Sequence, residues 1–256
     1  MKITKEKIGL VISIVSVSVF LLVWEMASVN RWVSPILISS PSEILREAIW
    51  MLQQPSFWNH AKISAFEFSV GFLLAMVIAI PVGVFSGWNF YFNSLVNPFI
   101  SALYVTPKLT ILPVIIIAFG IGVESKIVLV FLMSFFPIVM SAQKAMNTLD
   151  QSLIKAARTF TASELQIFTT IALPSTVPFL LNGIRLGMGQ GLIAMVVGEM
   201  FAASAGIGFM LTNYGQNLQT GRMFVGVIVI TLTGLALTYV IALVEKRFSS
   251  WKPDLH

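Results

Sequence analysis

The sequence predicts an all-α polytopic membrane protein with six transmembrane helices, and three observations support this class. Of its 256 residues, 57% are hydrophobic and 11% are charged, against roughly 25% charged residues in an average soluble domain. The mean hydropathy is +0.89. Six apolar stretches have the length of about 20 residues that a helix needs to cross a bilayer. A soluble domain of this size could not bury so much apolar surface, which argues against a soluble enzyme.

The first apolar stretch, residues 8–28, predicts a retained membrane span. Lys2, Lys5 and Lys7 precede an apolar run of about 17 residues, a pattern that signal peptides share. A span is favoured because no clear small-x-small cleavage site follows. The other predicted spans cover residues 63–87, 92–120, 125–145, 176–203 and 223–244, and residues 41–52 predict a short helix between the first two spans.

Prolines interrupt the second, third and fourth predicted spans. Each proline removes a helix hydrogen bond and bends the helix, which lipid allows only where neighbouring groups satisfy the exposed carbonyls. The pattern indicates either ordinary kinks in a packed bundle, which is the favoured interpretation, or parts of a moving pathway. The prolines are Pro81, Pro98, Pro107, Pro113 and Pro137.

The fifth predicted span carries glycine at every fourth position, at Gly183, Gly187 and Gly191. Small residues at this spacing let helices approach closely in a membrane. With Gly189 the row also has the pattern GxGxG, but it lacks the preceding strand of a dinucleotide-binding turn. We therefore expect a helix-packing surface.

Lys and Arg residues are distributed unequally between the two sets of loops. Cytoplasmic loops are normally enriched in these residues. With the N-terminus inside, nine lie in cytoplasmic segments and five outside, which predicts that both termini and residues 145–175 are cytoplasmic. The nine are Lys2, Lys5, Lys7, Lys144, Lys155, Arg158, Lys246, Arg247 and Lys252, and the five are Arg31, Arg46, Lys62, Lys126 and Arg222.

Several kinds of chemistry lack the residues that they need. The chain contains no Cys, and its two imidazoles are His60 and His256. Disulfides, thiolate nucleophiles and ordinary zinc sites are therefore not expected. The net charge of +5 comes without a run of Lys and Arg, so a nucleic-acid partner is not expected either.

Residues 144–175 form a polar segment that is longer than a simple helical hairpin requires. Asp150 can cap a first helix, whose apolar residues recur at helical spacing. They are Leu149, Leu153, Ala156 and Phe160.

A second short helix is predicted to follow at a bend. Thr161 and Glu164 have the spacing of a capping box, and the sequence predicts that Pro174 ends this helix. The charges are few and mixed, which favours docking in the groove of a partner over lying on the lipid surface.

Residues 155–174 resemble the EAA loop of binding-protein-dependent ABC importer permeases. The family pattern is Glu-Ala-Ala, three residues, Gly, nine residues, then Ile-x-Leu-Pro. Lys155 replaces the acid of this pattern, and Thr161 replaces its glycine. The matching positions are Ala156, Ala157, Ile171, Leu173 and Pro174, with Ala162 and Ser163 in the turn, where small residues are common.

The resemblance extends over roughly residues 60–245 and points to the nitrate, sulfonate and taurine branch of the family. It implies one permease domain over residues 1–256, with a family-like core at about 60–245, an additional N-terminal span at about 8–28 and a cytoplasmic coupling-helix loop between helices 4 and 5. The matching motifs begin at Pro107, Phe119, Phe135, Asn182, Gly198 and Gly206.

The resemblance also implies a function and partners. The chain would form an alternating-access pathway for a small solute in the prokaryotic inner membrane, paired with a second copy or a close relative, of which a homodimer is favoured. An extracytoplasmic binding protein would deliver the solute. Two cytoplasmic ATPases would bind ATP and Mg. This chain has no P-loop, so it is expected to be neither an enzyme nor a cofactor-binding protein. The two ATPases would dock on Lys155, Ala156, Ala157, Thr161, Ala162, Ser163, Glu164, Leu173 and Pro174.

Lys155 carries a further expectation. The acid of the family pattern is expected to face a basic residue of the ATPase, so Lys155 would require an acidic or neutral group opposite. Alternatively, this exposed side chain points into water.

Three charged residues in or near the spans are candidates for the pathway: Lys108, Arg185 and Glu199. Lys108 lies between prolines, where a cation suits an anion passage. For Arg185 a snorkelling or headgroup role is favoured, and for Glu199 a hydrogen bond across the bundle or a protonated acid is favoured. Glu25 and Glu67 are expected to be solvated or structural.

Two other function classes remain open from the sequence. A self-sufficient secondary transporter or channel would show inverted repeats or paired acids at the midplane, which are not evident. A membrane-bound enzyme would need a cluster of His, Asp or Glu residues at an interface. Both are disfavoured against an importer permease.

Overall fold

The computed structural model describes residues 2–34 and 36–248, and all regular secondary structure within these ranges is helical. Lys252 and His256 lie outside the described residues. The helices are α1 (Lys2–Val29), α2 (Pro41–Leu52), α3 (Pro55–Trp88), α4 (Phe90–Val105), α5 (Leu112–Phe119), α6 (Val123–Asn147), α7 (Gln151–Thr159), α8 (Glu164–Ile167), α9 (Leu173–Ala202), α10 (Ile207–Gln216) and α11 (Thr220–Phe248).

Five helical segments of the described chain are each long and apolar enough to cross a membrane. Four of them lie in α1, α3, α6 and α11, and the fifth is the continuous helix Glu164–Ala202, which contains α9. The predicted third span is not one straight helix, because α4 and the segment Lys108–Phe119 meet at an angle of 88°. Counted as one broken span, this pair brings the total to the predicted six.

The break in the third span lies at Thr106 and Pro107. A proline disfavours helical geometry in the residue before it, and Thr106 is extended, with φ −60° and ψ 130°. A short 3₁₀ turn, Lys108–Ile111, restarts the helix. Pro107 therefore acts as a breaker, whereas Pro81, Pro98 and Pro137 lie inside helices that continue.

The centre of the bundle is α6, which packs between α3 and α9. A Cβ atom added to Gly187 of α9 would lie 2.9 Å from the Ser134 carbonyl oxygen, and one added to Gly83 of α3 would lie 2.6 Å from the Val139 carbonyl oxygen. Both distances are too short for a real Cβ atom, so these helices pack more closely than other residues would allow. The predicted packing role of Gly183, Gly187 and Gly191 is confirmed.

The two ends of the bundle carry different short helices. At the end called here the α2 end, the Trp24 indole of α1 donates to the Ser39 carbonyl at 3.1 Å, and Arg222 of α11 bonds Glu47 of α2 at 2.8 Å. The predicted short helix at 41–52 is confirmed as α2, whose N-terminus is capped by Ser40. Helix α10 also lies at the α2 end. The opposite end, called the α7 end, carries α7 and α8.

The segment between α6 and α9 begins as the sequence predicts. The Asp150 side chain caps α7 and accepts a hydrogen bond from the Ser152 amide at 2.8 Å. Hydrogen bonds from Ser152 lower the pKa of the Asp150 carboxyl below its ordinary value. The stabilisation from this cap is therefore present above the unfolded-state pKa and is lost as the pH falls through the folded-state value.

The end of α7 corrects the prediction for Thr161. The Ala162 amide donates to the Ala157 carbonyl at 3.1 Å and the Thr161 amide donates to the Arg158 carbonyl at 2.9 Å, which is the pattern of a Schellman motif. Thr161 occupies the position after the C-cap, with φ +58°. This is the left-handed conformation that favours glycine, so Thr161 terminates α7 and does not cap α8.

The cap of α8 lies two residues later than predicted, at Ser163. The Ser163 hydroxyl accepts a bond from the Gln166 amide, and the Gln166 side chain accepts one from the Ser163 amide at 2.8 Å. The capping box therefore comprises Ser163 and Gln166, and Glu164 instead pairs with Arg158 at 2.9 Å.

Pro174 does not end the second helix, contrary to the prediction. It lies in the first turn of α9, and helical structure runs without interruption from Glu164 to Ala202. The turn before it, Phe168–Ala172, is a π-helix. This wider turn changes the spacing of the carbonyls that precede the proline ring, which lets the helix continue.

The packing of α9 predicts different effects for two neighbouring glycines. Gly187→Ala should destabilise the protein by about 1–3 kcal/mol, because the added methyl group overpacks the contact with α6. Gly189→Ala is the matched control, since a Cβ atom there would have nothing within 4 Å. Thermal unfolding in detergent measures both. Equal unfolding temperatures for the two variants would contradict the close packing.

The conformation of Thr161 predicts that glycine is the better residue there. Thr161→Gly should stabilise the α7–α8 bend by about 0.5–1 kcal/mol. Glycine has no Cβ atom to be strained in the left-handed conformation, and this gain exceeds the extra backbone entropy that glycine loses on folding. Thr161→Ala keeps the Cβ atom and should give no such gain. Hydrogen exchange of the Thr161 and Ala162 amides should slow in the glycine variant alone; slowing in both variants would point away from backbone strain.

Candidate functional sites: docking segment and membrane cleft

The segment from α7 to α8 presents large apolar side chains to its surroundings. Leu153 is 52% exposed, Phe160 is 84% exposed and Leu165 is 72% exposed. Ile154 turns the other way and is buried. The predicted apolar face of α7 is thus largely uncovered in this chain. We call Leu153, Phe160 and Leu165 the docking triad.

The predicted docking residues lie along the same segment. Lys155 and Ala156 are exposed on α7, and Ala157 is partly buried. Thr161, Ser163 and Glu164 are exposed at the bend, and Ala162 is partly buried beside them. Leu173 and Pro174 lie further along, in the first turn of α9, where Leu173 is exposed and Pro174 is partly buried.

The segment is fastened to the bundle at its far side. The ring of Phe168 meets the Trp88 ring at the end of α3 edge to face, with 5.3 Å between centroids. Ala172 is buried in the same apolar cluster, together with Val84 and Met146. A force applied to the docking triad would therefore reach α3 and α6 through packed side chains.

A cleft of about 460 Å³ opens at the break in the third span. Lys108 lies in its wall, and its Nζ donates to the Tyr104 carbonyl at 2.8 Å. The same ammonium lies 5.2 Å from the centroid of the Tyr104 ring and 4.9 Å from that of Phe136. The remaining wall is formed by Val105, Thr106, Pro107, Leu109, Met133, Pro137, Leu186 and Gln190.

Two groups in this cleft have hydrogen-bond donors to spare. An ammonium has three N–H donors, and among the described residues Lys108 uses one of them. The Gln190 side chain is exposed and forms no hydrogen bond within the described part of the chain. The cleft therefore combines a cation, an amide and apolar walls. Gln190 was not predicted from the sequence, although an amide side chain inside an apolar span could have indicated it.

The three predicted pathway residues do not meet. Arg185 bonds Glu245 of α11 at 2.7 Å and does not line the cleft, although its neighbour Leu186 does. Glu199 is fully buried towards the α2 end of α9. Glu199 forms the kind of hydrogen bond across the bundle that its favoured interpretation predicts, because its side chain accepts bonds from the Ser64 hydroxyl of α3 and the Gly208 amide.

The surroundings of Glu199 contain two charged residues that were expected at the outer ends of spans. Lys126 was counted in an outer loop but is 2% exposed within α6, and Glu67 is likewise 2% exposed. The turn after α9 fits against this carboxylate because Gly206 has φ +113°, and a Cβ atom there would overlap Glu199. Among the described residues, no group of three or more His, Asp or Glu residues is placed to hold a metal ion.

Comparison with known proteins identifies relatives along almost the whole chain. The taurine transport system permease protein TauC of Escherichia coli (strain K12) is 30% identical over 95% of this chain and 90% of its own length. The putative aliphatic sulfonates transport permease protein SsuC of Bacillus subtilis (strain 168) is 26% identical over 92% of this chain and 85% of its own length.

A solved structure shares the fold. A chain of the MetNI methionine ABC transporter, in an inward-facing conformation, matches with a TM-score of 0.61 and 21% identity, over 80% of this chain and 97% of that chain. The family model described as the binding-protein-dependent transport system inner membrane component matches residues 79–250. This chain therefore belongs to the family of binding-protein-dependent transport system inner membrane components, the membrane-spanning permease subunits of ABC importers.

Proposed function

We propose that this permease forms the membrane pathway of an ATP-driven importer for small organic sulfonates, working as a pair of identical chains. The docking triad is the observation that carries this proposal, because Leu153, Phe160 and Leu165 are large apolar side chains exposed at the α7 end, a pattern typical of a protein interface. The proposal also draws on the names of the relatives, which concern taurine and aliphatic sulfonates.

The cover that fits the docking triad is a separate cytoplasmic ATPase. A short amphipathic helix that lays its apolar face into a groove is a recurrent mode of recognition. The partner ATPase would bind ATP and Mg and hydrolyse the nucleotide, and this chain would transmit the motion. In a paired permease, closure of the two ATPases would draw together the α7–α8 segments of the two chains and open the pathway to the outside. Hydrolysis would reset the pathway to face the cytoplasm.

Lys155 follows Leu153 by two residues on α7 and would help select the ATPase from a different face of this helix. It is exposed on α7, so it can reach a partner surface. A basic group opposite Lys155 would cost affinity, and we expect the matching ATPase to present an acidic or neutral group there. Such a pairing would also discourage ATPases of other importers.

The cleft beside Lys108 suits the proposed substrates. A sulfonate group carries negative charge on oxygen atoms that accept hydrogen bonds, and its alkyl part is apolar. Lys108 and Gln190 supply donors, whereas Met133 and Leu186 supply apolar contact. Because the cleft lies at the 88° break, a change in this angle would alter access to it. Delivery to the α2 end by a binding protein would complete the cycle.

The cleft predicts the effect of removing its cation. In vesicles that contain the permease, its ATPase and its binding protein, Lys108→Met should reduce ATP-driven uptake of labelled taurine or an alkanesulfonate by about tenfold or more, the equivalent of one lost charged hydrogen bond. Lys108→Arg should retain much of the uptake. Lys62→Met, which removes an exposed lysine of α3, is the control. Unchanged uptake in Lys108→Met would remove this residue from the pathway, and a wild-type complex that imports no sulfonate would refute the substrate class.

The proposed orientation places the α7 end in the cytoplasm. The chain contains no Cys, so single cysteines can be introduced into the native sequence. Ser152→Cys at the α7 end should react with an impermeant maleimide only after the cells are opened, whereas Gln53→Cys at the α2 end should react in intact cells. The reverse pattern of labelling would invert the topology.

A further inference from the structure

Three ionisable residues from three different helices meet inside the bundle near its α2 end. They are Glu67 of α3, Lys126 of α6 and Glu199 of α9, and none is more than 2% exposed. A buried charge is costly unless another charge balances it and hydrogen bonds satisfy it. The protonation of this cluster therefore follows from its bonding pattern.

Lys126 is bonded as an ammonium ion. Its Nζ donates to the backbone carbonyls of Ile121, Gly122 and Ala202. Three carbonyl acceptors require three N–H donors, and a lysine side chain has three only when it is protonated. The cluster thus contains one positive charge, and Lys126 has no further N–H for a carboxylate.

Glu199 is bonded as a carboxylate. Its Oε1 accepts a bond from the Ser64 hydroxyl at 2.5 Å, and its Oε2 accepts one from the Gly208 amide at 2.6 Å. Ser64 accepts a bond in turn from the Ile207 amide at 2.8 Å. Both oxygens therefore face donors, and the turn that leads into α10 is bonded to α3 through this carboxylate.

Glu67 has the surroundings of a neutral acid. Glu67 lies one turn along α3 from Ser64, which bonds Glu199, and this places the two carboxyl groups within reach of each other. Two ionised carboxylates cannot share a hydrogen bond, because both only accept. Its Oε2 is buried and has no hydrogen-bond partner among the described residues. One proton between the two carboxyl groups removes the conflict, and it belongs on Glu67 because Glu199 already accepts two bonds.

The charge count of the cluster agrees with this assignment. Lys126 contributes one positive charge and Glu199 one negative charge, so a neutral Glu67 leaves the buried group balanced. The nearby titratable groups are outside this balance. Glu124 is exposed in the first turn of α6, and His60 accepts a bond from the Gly206 amide through Nδ1 at 3.0 Å, so this nitrogen is unprotonated.

We propose that Glu67 is held as a protonated acid that donates a hydrogen bond to Glu199 and thereby positions the turn between α9 and α10 on α3. Glu67 is a positioning residue, because it does not line the cleft beside Lys108 and it acts through Glu199. Together with Lys126 it makes the α2 ends of α3, α6 and α9 one unit.

Infrared spectroscopy of the purified permease tests the protonation directly and does not depend on the proposed function. The wild type with isotope-labelled glutamate should show the carbonyl band of a protonated carboxylic acid at neutral pH, and Glu67→Gln should lose this band. Glu164→Gln, which changes an exposed glutamate, is the control and should keep it. A wild type without the band, or a Glu67→Gln variant that retains it, would overturn the proposal.

Stability and uptake test the positioning role. Glutamine resembles a protonated glutamate in shape and can donate through its amide. Glu67→Gln should therefore leave the unfolding temperature unchanged and the uptake rate within about twofold of the wild type. Glu67→Leu cannot donate and should lose about tenfold or more of the uptake, as should Glu199→Gln, which leaves Lys126 unbalanced. If Glu67→Gln is as damaging as Glu67→Leu, Glu67 is not the donor. This arm rests on the proposed function, whereas the infrared arm does not.

Discussion

The contact of α6 with α3 and α9 is the constraint on which the rest of the bundle depends. In lipid there is little hydrophobic gain from bringing helices together, so association relies on close packing and on bonds between helices. Glycines on α3 and α9 provide the packing along most of α6. Polar side chains provide the bonds near both ends: Gln143 bonds Ser86 at 2.6 Å near the α7 end, and Lys126 bonds the end of α9 near the α2 end.

The third span differs from this closely packed centre because it is not one continuous helix. Its two halves, α4 and α5, meet at a right-angled break that contains Pro107, and the cleft with Lys108 lies at that break. Irregular backbone at membrane depth is tolerated where it is buried in protein or lines a cavity. The proposed pathway is therefore located at the part of the fold that breaks regular structure, beside helices that keep it.

Features that depend on neighbouring residues in the chain were predictable from the sequence. The apolar lengths gave five spans directly, Asp150 marked the start of α7, and the spacing of Gly187 and its partners marked a packing surface. These patterns depend on helix geometry alone. Thr161 and Ser163 were harder to tell apart, because two overlapping capping patterns start two residues apart and only the termination of α7 decides between them.

Features that depend on distant parts of the chain were not predictable in the same way. Lys126 follows a loop in the sequence, and nothing local indicates that the carbonyl of Ala202 will meet it. Glu67 looked like an interfacial acid until its neighbours from α6 and α9 were known. Helix α10 was also missed, since its ten residues are too few for a span and its apolar side chains become buried only when α2, α3, α9 and α11 pack against it.

The continuity of the helix through Pro174 has a mechanical consequence. From Glu164 to Ala202 the chain forms one helix of 39 residues, which at about 1.5 Å per residue is a rod of about 58 Å. One tip of this rod lies beside Phe160 and Leu165, and the other ends at the carbonyl that Lys126 holds. A push on the first tip is therefore carried along an unbroken helix, past the close contact at Gly187, to the point where Lys126 fastens α9 to α6.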